Sequence, residues 1–318
     1  MKYITALTSV LAVLGSSQVS DASSAGAAAL KAFQEMDYRF FVAGGTCAAF
    51  SHGITTPIDV VKTRIQANPE AYSDGMLAAT VEIVKNEGPG ALLSGLGPTV
   101  VGYGIEGAMK FGVYEVAKPI FAALLKDNTA MAFVMASVIA GAVAALLLCP
   151  MESLRIRQVT DPKYANDSLL TGLPRLIREN GFASLFGGVL AMLAKQVPYT
   201  FGKQVSFDVI AAALYTFLSN IMEVVNKWLV SISAAFCASL VACILSQPGD
   251  MILTETYKGR EPGSFGKVLG GLYERGGLTE FFRGTGARIV HVGMIITSQL
   301  VIYDVVKQLL GLPATGSH

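Results

Sequence analysis

Thr99, Tyr103, Glu106, Lys110 and Tyr114 follow one another at steps of 4, 3, 4 and 4 residues. At about 100° per residue they share one helix face roughly 80° wide. Hydroxyls donate to the oxygens of an oxyanion and a lysine supplies a point charge, so this face suits a small inorganic anion. Lys203 and Arg288 stand inside two later apolar stretches and extend the same positive lining. A lysine snorkelling from a lipid interface is the plainer reading of such residues, and their mid-stretch positions argue against it. Glu106 lies four residues before Lys110, so the two pair along the helix and the lysine's hold on an anion weakens. Other chemistries lack their residues. The four cysteines (Cys47, Cys149, Cys237, Cys243) form no CxxC pair, and the three histidines are His52, His291 and His318. No Ser/His/Asp arrangement, HExxH or phosphate-binding loop occurs. The chain therefore reads as a non-enzyme, with no metal and no cofactor.

Charges of this kind need elements that keep them away from lipid. Only 15% of the 318 residues are charged, and the mean hydropathy is +0.52. Soluble chains carry about 25%, so too few charges exist here to coat a soluble surface. With 24 basic and 23 acidic residues the net charge is +1, and no polycationic face is available for nucleic acid. Stretches 40–58, 129–151 and 228–249 contain no Asp, Glu, Lys or Arg. Each approaches or exceeds the ~20 residues needed to cross about 30 Å of hydrocarbon. Between them, 95–125, 188–218 and 284–310 are long enough but hold charges: Glu106 and Lys110; Lys195, Lys203 and Asp208; Arg288 and Asp304. Such charges face a bundle interior or a water-filled cavity. Six spans result.

The N-terminus is of another kind. Lys2 precedes an apolar run over 3–14, followed by small and polar residues. Twelve residues are too few to span, and the pattern is that of a secretory signal rather than an Arg-rich presequence, since the first arginine is Arg39. Residues 1–37 are set apart as a targeting segment, which leaves a plastid or endomembrane route open.

Three marks recur in one order. Pro57, Pro150 and Pro248 lie 93 and 98 residues apart, each followed two residues later by an acid: Asp59, Glu152 or Asp250. Glycines seven residues apart come next: Gly88 and Gly95, Gly181 and Gly188, Gly277 and Gly284. Tyr114-Glu115, Phe207-Asp208 and Tyr303-Asp304 close the units. The chain is thus three tandem repeats over 38–126, 127–222 and 223–313 with a tail at 314–318. Each is a span, a polar connector with a short amphipathic helix, and a returning span, the odd spans kinked by proline. The fold class is all-α membrane, six spans in three repeats. Bases at +5 from proline are Lys62 and Arg155, but the third place holds Leu253. Pairing each acid with the next repeat's base joins Asp59 to Arg155 and Asp250 to Lys62, and leaves Glu152 without a partner. An unpartnered carboxylate at a dehydrated constriction favours its neutral form, which suits a proton carrier.

The run Pro-x-Asp/Glu-x-x-Lys/Arg-x-Lys/Arg, complete at Pro57 to Arg64 and Pro150 to Arg157 and degenerate after Pro248, resembles the signature of the mitochondrial carrier family. The resemblance covers about 38–313. It implies a six-helix pseudo-threefold bundle around a central cavity, working by alternating access in the mitochondrial inner membrane as a monomer among membrane lipid. It also implies a matrix gate at Pro57, Asp59, Lys62, Pro150, Arg155, Pro248 and Asp250, and a cytoplasmic gate at Glu115, Lys118, Asp208, Asp304 and Lys307. Gln66 matches the family's gate-bracing glutamine; repeat two has Val159 there, with Gln158 one residue out of register.

Within the family the chain is similar to phosphate carriers. The likeness rests on the degenerate third motif, on 97–103 with 110–115, on Pro198-Tyr199-Thr200 with Lys203, and on Arg288 with Gln299 and 302–304. His52, five residues before Pro57, matches a histidine those carriers use with protons. The resemblance implies inorganic phosphate moving with a proton, or against hydroxide. Its binding residues would be Thr99, Tyr103, Glu106, Lys110, Lys203, Arg288 and Gln299, and its proton-coupling residues His52 and Glu152. Glu106 departs from the glutamine of phosphate carriers, which keeps another cargo open: a different small anion, or copper, for which Cys47 and Cys149 would matter.

Overall fold

The computed structural model describes residues 37–125, 128–219, 227–258 and 263–310, with single positions at 26, 30 and 34. The segment expected before Tyr38 lies almost wholly outside them, as does the tail at 314–318. Every regular element among the described residues is helical. The long helices are α1 (Tyr38–Ala67), α3 (Leu96–Leu124), α4 (Thr129–Thr160), α6 (Val189–Ser219), α7 (Lys227–Tyr257) and α9 (Thr285–Leu309). Short helices α2 (Met76–Glu87), α5 (Leu169–Asn180) and α8 (Phe265–Gly276) stand between the members of each pair, and each leads into a 3-10 turn.

Local chemistry sets these limits. Asp37 caps α1 by accepting from the Arg39 amide at 2.9 Å, Asn128 caps α4, and Ser168 with Thr171 forms a capping box on α5. Gly88, Gly181 and Gly277 end the three short helices at φ +85°, +79° and +61°, a region that costs other residues a steric penalty. Those glycines are the first of each pair in the second mark of the repeat.

The long helices form a closed ring in the order α1, α3, α4, α6, α7, α9 and back to α1. The odd members of the three pairs (α1, α4 and α7) contain Pro57, Pro150 and Pro248 and also touch one another. Small residues let neighbours approach. A Cβ on Gly107 of α3 would overlap Ala48 and the Gly44 carbonyl of α1, and one on Gly249 of α7 would overlap the Ala194–Lys195 backbone of α6. Replacing Gly249 by valine is accordingly expected to destabilise the protein by about 1–3 kcal/mol through overpacking. Thermal unfolding in detergent reads this directly, and an unchanged midpoint would count against the close α6–α7 seam.

The polarity of the bundle is inverted. Asp59, Lys62, Glu106, Glu152, Arg155, Asp250 and Arg288 are buried, whereas Phe50, Ile54, Ile139, Leu147, Phe201, Ile244 and Met294 are exposed. Only lipid solvates such an exterior well. Among the described residues two helices, Ala130–Thr160 and Ile232–Tyr257, are apolar enough to cross a membrane on length and composition alone. Stretch 40–58, read as equally clear, lies in α1, which falls short on that measure. That stretch has no formal charge, but three glycines, three threonines, Ser51 and His52 dilute it. The other ring helices carry the polar lining, and whole-helix hydropathy averages it with the lipid face.

Candidate functional site

The ring encloses a cavity of about 380 Å³ between α1, α3, α6, α7 and α9. Its far end is closed by an ion-pair cluster just beyond the prolines. Arg155 Nη1 lies 2.5 Å from Asp59 Oδ2, and Lys62 Nζ lies 3.2 Å from Asp250 Oδ2 and 3.0 Å from Asp59 Oδ1. Both pairs expected between repeats are present. Gln66 braces the cluster, donating to Asp250 at 3.0 Å while accepting from Thr254 Oγ1 at 3.0 Å. Gln158 donates instead to the Asp167 carbonyl and Val159 is buried, so repeat two supplies no such brace.

Glu152 has partners, which corrects the sequence expectation. It pairs with Arg155 one turn along its own helix. Lys195 Nζ reaches it at 3.4 Å, and the Tyr103 hydroxyl donates to it at 3.2 Å. Lys195 also lies 3.0 Å from Asp250 Oδ1. A lysine of α6, the second helix of repeat two, therefore ties α4 to α7 where Leu253, buried in the core, supplies no base. The close seam at Gly249 places the Lys195 backbone beside the residue preceding Asp250. Glu152 thus loses the orphan status on which its proton-carrying role was argued. The sequence held one signal for Lys195, a charge in an apolar span, but no spacing rule linked α6 to the proline motif.

Above the cluster, Tyr103, Glu106, Lys110, Lys195, Gln196, Lys203, Arg288, His291 and Gln299 border the cavity. Lys110 pairs with Glu106, as the four-residue spacing predicts, and Gln196 donates to Glu106 at 2.7 Å. Arg288 is held by Ser246 at 2.7 Å and Gln247 at 3.1 Å, with Asp250 at 3.6 Å. Among the described residues no carboxylate pairs with Lys203, which lines the cavity. His52 lines it too and stacks on Tyr103, ring centroids 3.6 Å apart. Thr99 belongs elsewhere: it is buried and its hydroxyl donates back to the Gly95 carbonyl at 2.7 Å. Helical phase placed it on the right face but too far toward the constriction. Tyr114 sits past the cavity's other end, beneath Lys118 at 5.3 Å. The side chains of Glu115, Asp208, Asp304 and Lys307 lie outside the described residues, so of the second gate only Lys118 is placed.

At the outer ends of the odd helices the repeats differ. Arg64 pairs with Glu87 at 2.8 Å, repeat three reverses the signs with Glu255 and Arg275 at 2.9 Å, and in repeat two Arg157 binds Ser153 and covers the Tyr257 ring.

A three-repeat helical ring closed by acid–base pairs beyond three prolines matches one family. The profile described as "Mitochondrial carrier protein" covers residues 37–123, 126–217 and 225–313. The chain belongs to the mitochondrial carrier family. It is a transporter, not an enzyme, and a multi-pass protein of the mitochondrial inner membrane. A Dictyostelium discoideum relative, "Mitochondrial substrate carrier family protein N", is 35% identical over 85% of this chain and 93% of its own length. Human "Solute carrier family 25 member 3" is 32% identical over 90% of this chain and 82% of its own. Arabidopsis thaliana "Mitochondrial phosphate carrier protein 2" is 31% identical over 86% and 77%.

Proposed function

We propose that this carrier moves inorganic phosphate together with a proton across the inner membrane, by alternating access and as a monomer. The observation that supports it most is the charge of the cavity wall. Lys62, Lys110, Lys195, Lys203 and Arg288 face three carboxylates, Asp59, Glu106 and Asp250, so the wall attracts a small anion of compensating charge. The name of the Arabidopsis relative points to the same cargo. Binding falls to Lys110, Lys203 and Arg288 for charge, with Tyr103 and Gln299 at the wall. Glu106 takes part as the counter-ion that keeps Lys110 from holding the anion too tightly, since a site that transports must also release. His52, on the cavity side of Tyr103, belongs to the proton route. An imposed pH gradient, alkaline inside, is expected to drive labelled phosphate into proteoliposomes containing the purified carrier. Uptake that ignores the gradient would remove the proton, and a competing anion that displaces phosphate completely at lower concentration would replace the cargo.

A further inference from the structure

His291 has no place in the assignments above. It lies on α9, three residues beyond Arg288, and lines the inner end of the cavity. Its residue is 7% exposed. Nδ1 stands 3.4 Å from Asp59 Oδ1, the carboxylate whose other oxygen holds Arg155. Nε2 is buried and, among the described residues, has no hydrogen-bond partner. A buried polar atom left unpaired is destabilising, so an apolar side chain would be the better filler if this position served packing alone. Imidazole is also the side chain that exchanges a proton in the physiological range.

Charged and titratable groups reach His291 from several helices. Asp59 and Lys62 face it from α1, Arg155 from α4 and Asp250 from α7, and Arg288 lies one turn away on its own helix. His52 of α1 meets it edge to face, with centroids 6.4 Å apart. Behind His52 stands Tyr103 of α3, whose hydroxyl reaches Glu152. His291 thus touches both the cavity and the Asp59–Arg155 tie, and it is an imidazole where Lys62 beside it is a fixed cation.

Resting on the phosphate–proton reading above, we infer that His291 is the proton-carrying group of the cycle. A proton taken from the solution on the open side makes both ring nitrogens donors. Nδ1–H turns to Asp59, Nε2–H becomes a second cationic donor, and the added charge stands at the inner end of the cavity that the anion enters. Proton and anion then stabilise one another and leave together. Protonated His291 also competes with Lys62 and Arg155 for Asp59, which loosens the matrix gate when, and only when, the site is loaded. When the proton departs into the alkaline matrix, Asp59 returns to its two bases and the gate closes.

The test uses the full-length carrier in proteoliposomes, as parent, His291→Gln and His291→Lys, in two assays. Phosphate–phosphate exchange without a pH gradient reads cargo handling; net uptake under a gradient reads coupling. In the parent, the limiting accumulation should rise about tenfold per imposed pH unit. In both variants the ratio of net uptake to exchange should become flat with pH, because glutamine carries no proton and lysine does not release one in this range. Either variant with the parent's pH response overturns the assignment. Loss of exchange together with uptake in both variants also overturns it, by placing His291 on the anion's path. A parent that exchanges no phosphate overturns the cargo reading instead. That result is seen before any variant is compared.

Discussion

Lys195→Met is expected to abolish net transport, with uptake falling at least about 100-fold while the protein still inserts and remains helical. Lys195 is the shared base of Glu152 and Asp250, at 3.4 and 3.0 Å. Methionine keeps the stem and removes the charge. Asp250 retains Lys62, and Glu152 retains Arg155, but the α4–α7 side of the gate loses its tie. Removing one member of a buried ion pair costs about 3–5 kcal/mol, enough by itself to shift a gate equilibrium by more than two orders of magnitude. The double variant Lys195→Met with Leu253→Lys should recover part of the rate. It returns a base to the place where the other repeats carry Lys62 and Arg155. Parental uptake by the single variant, measured at matched protein in the membrane, would show that the gate closes without its third tie.

Lys110→Ala should lower phosphate uptake by a similar factor, and Glu106→Gln should act in the opposite sense on affinity. Alanine at 110 deletes a cation and also strips Glu106 of its counter-ion. Glu106 is 4% exposed, and Gln196 alone would then hold it. The cavity wall would present an uncompensated carboxylate to an arriving anion, a penalty of several kcal/mol in such surroundings. Glutamine at 106 frees Lys110, so half-saturation should move to lower phosphate while the turnover falls with slower release. Concentration dependence of uptake separates the two. Equal half-saturation in parent and Glu106→Gln would mean that Lys110 does not meet the cargo.

Much of this was legible in one chain because symmetry repeats the signal. The prolines, their acids and the two inter-repeat pairs follow from spacing within a repeat, and Asp59–Arg155 and Lys62–Asp250 stand where pairing of successive repeats puts them. The helical period likewise brought Tyr103, Glu106 and Lys110 to one wall. What spacing does not contain is depth along the axis and contact between helices of different parity. Thr99 shares the phase of Lys110 yet lies beside the constriction, bonded to its own backbone. Lys195 and His291 reach the ion-pair cluster from the second helices of their repeats, through approaches set by side-chain length and by Gly249. Glu152 was misjudged because Arg155 of its own motif serves it as well as Asp59, and because Lys195 and Tyr103 reach it from outside the motif.

The charge excess around the cavity has an electrical consequence. Counting the gate, Lys62, Lys110, Arg155, Lys195, Lys203 and Arg288 oppose Asp59, Glu106, Glu152 and Asp250, two positive charges in surplus with both histidines neutral. Alternating access moves the drop of the membrane potential from one side of this cluster to the other. Each uncompensated charge then contributes about 2.3 kcal/mol per 100 mV to the step. A site filled by an anion reorients nearly silently, while the empty site returns against or along the field. The potential therefore sets how fast the unloaded carrier resets and leaves untouched the ratio to which an electroneutral cargo accumulates.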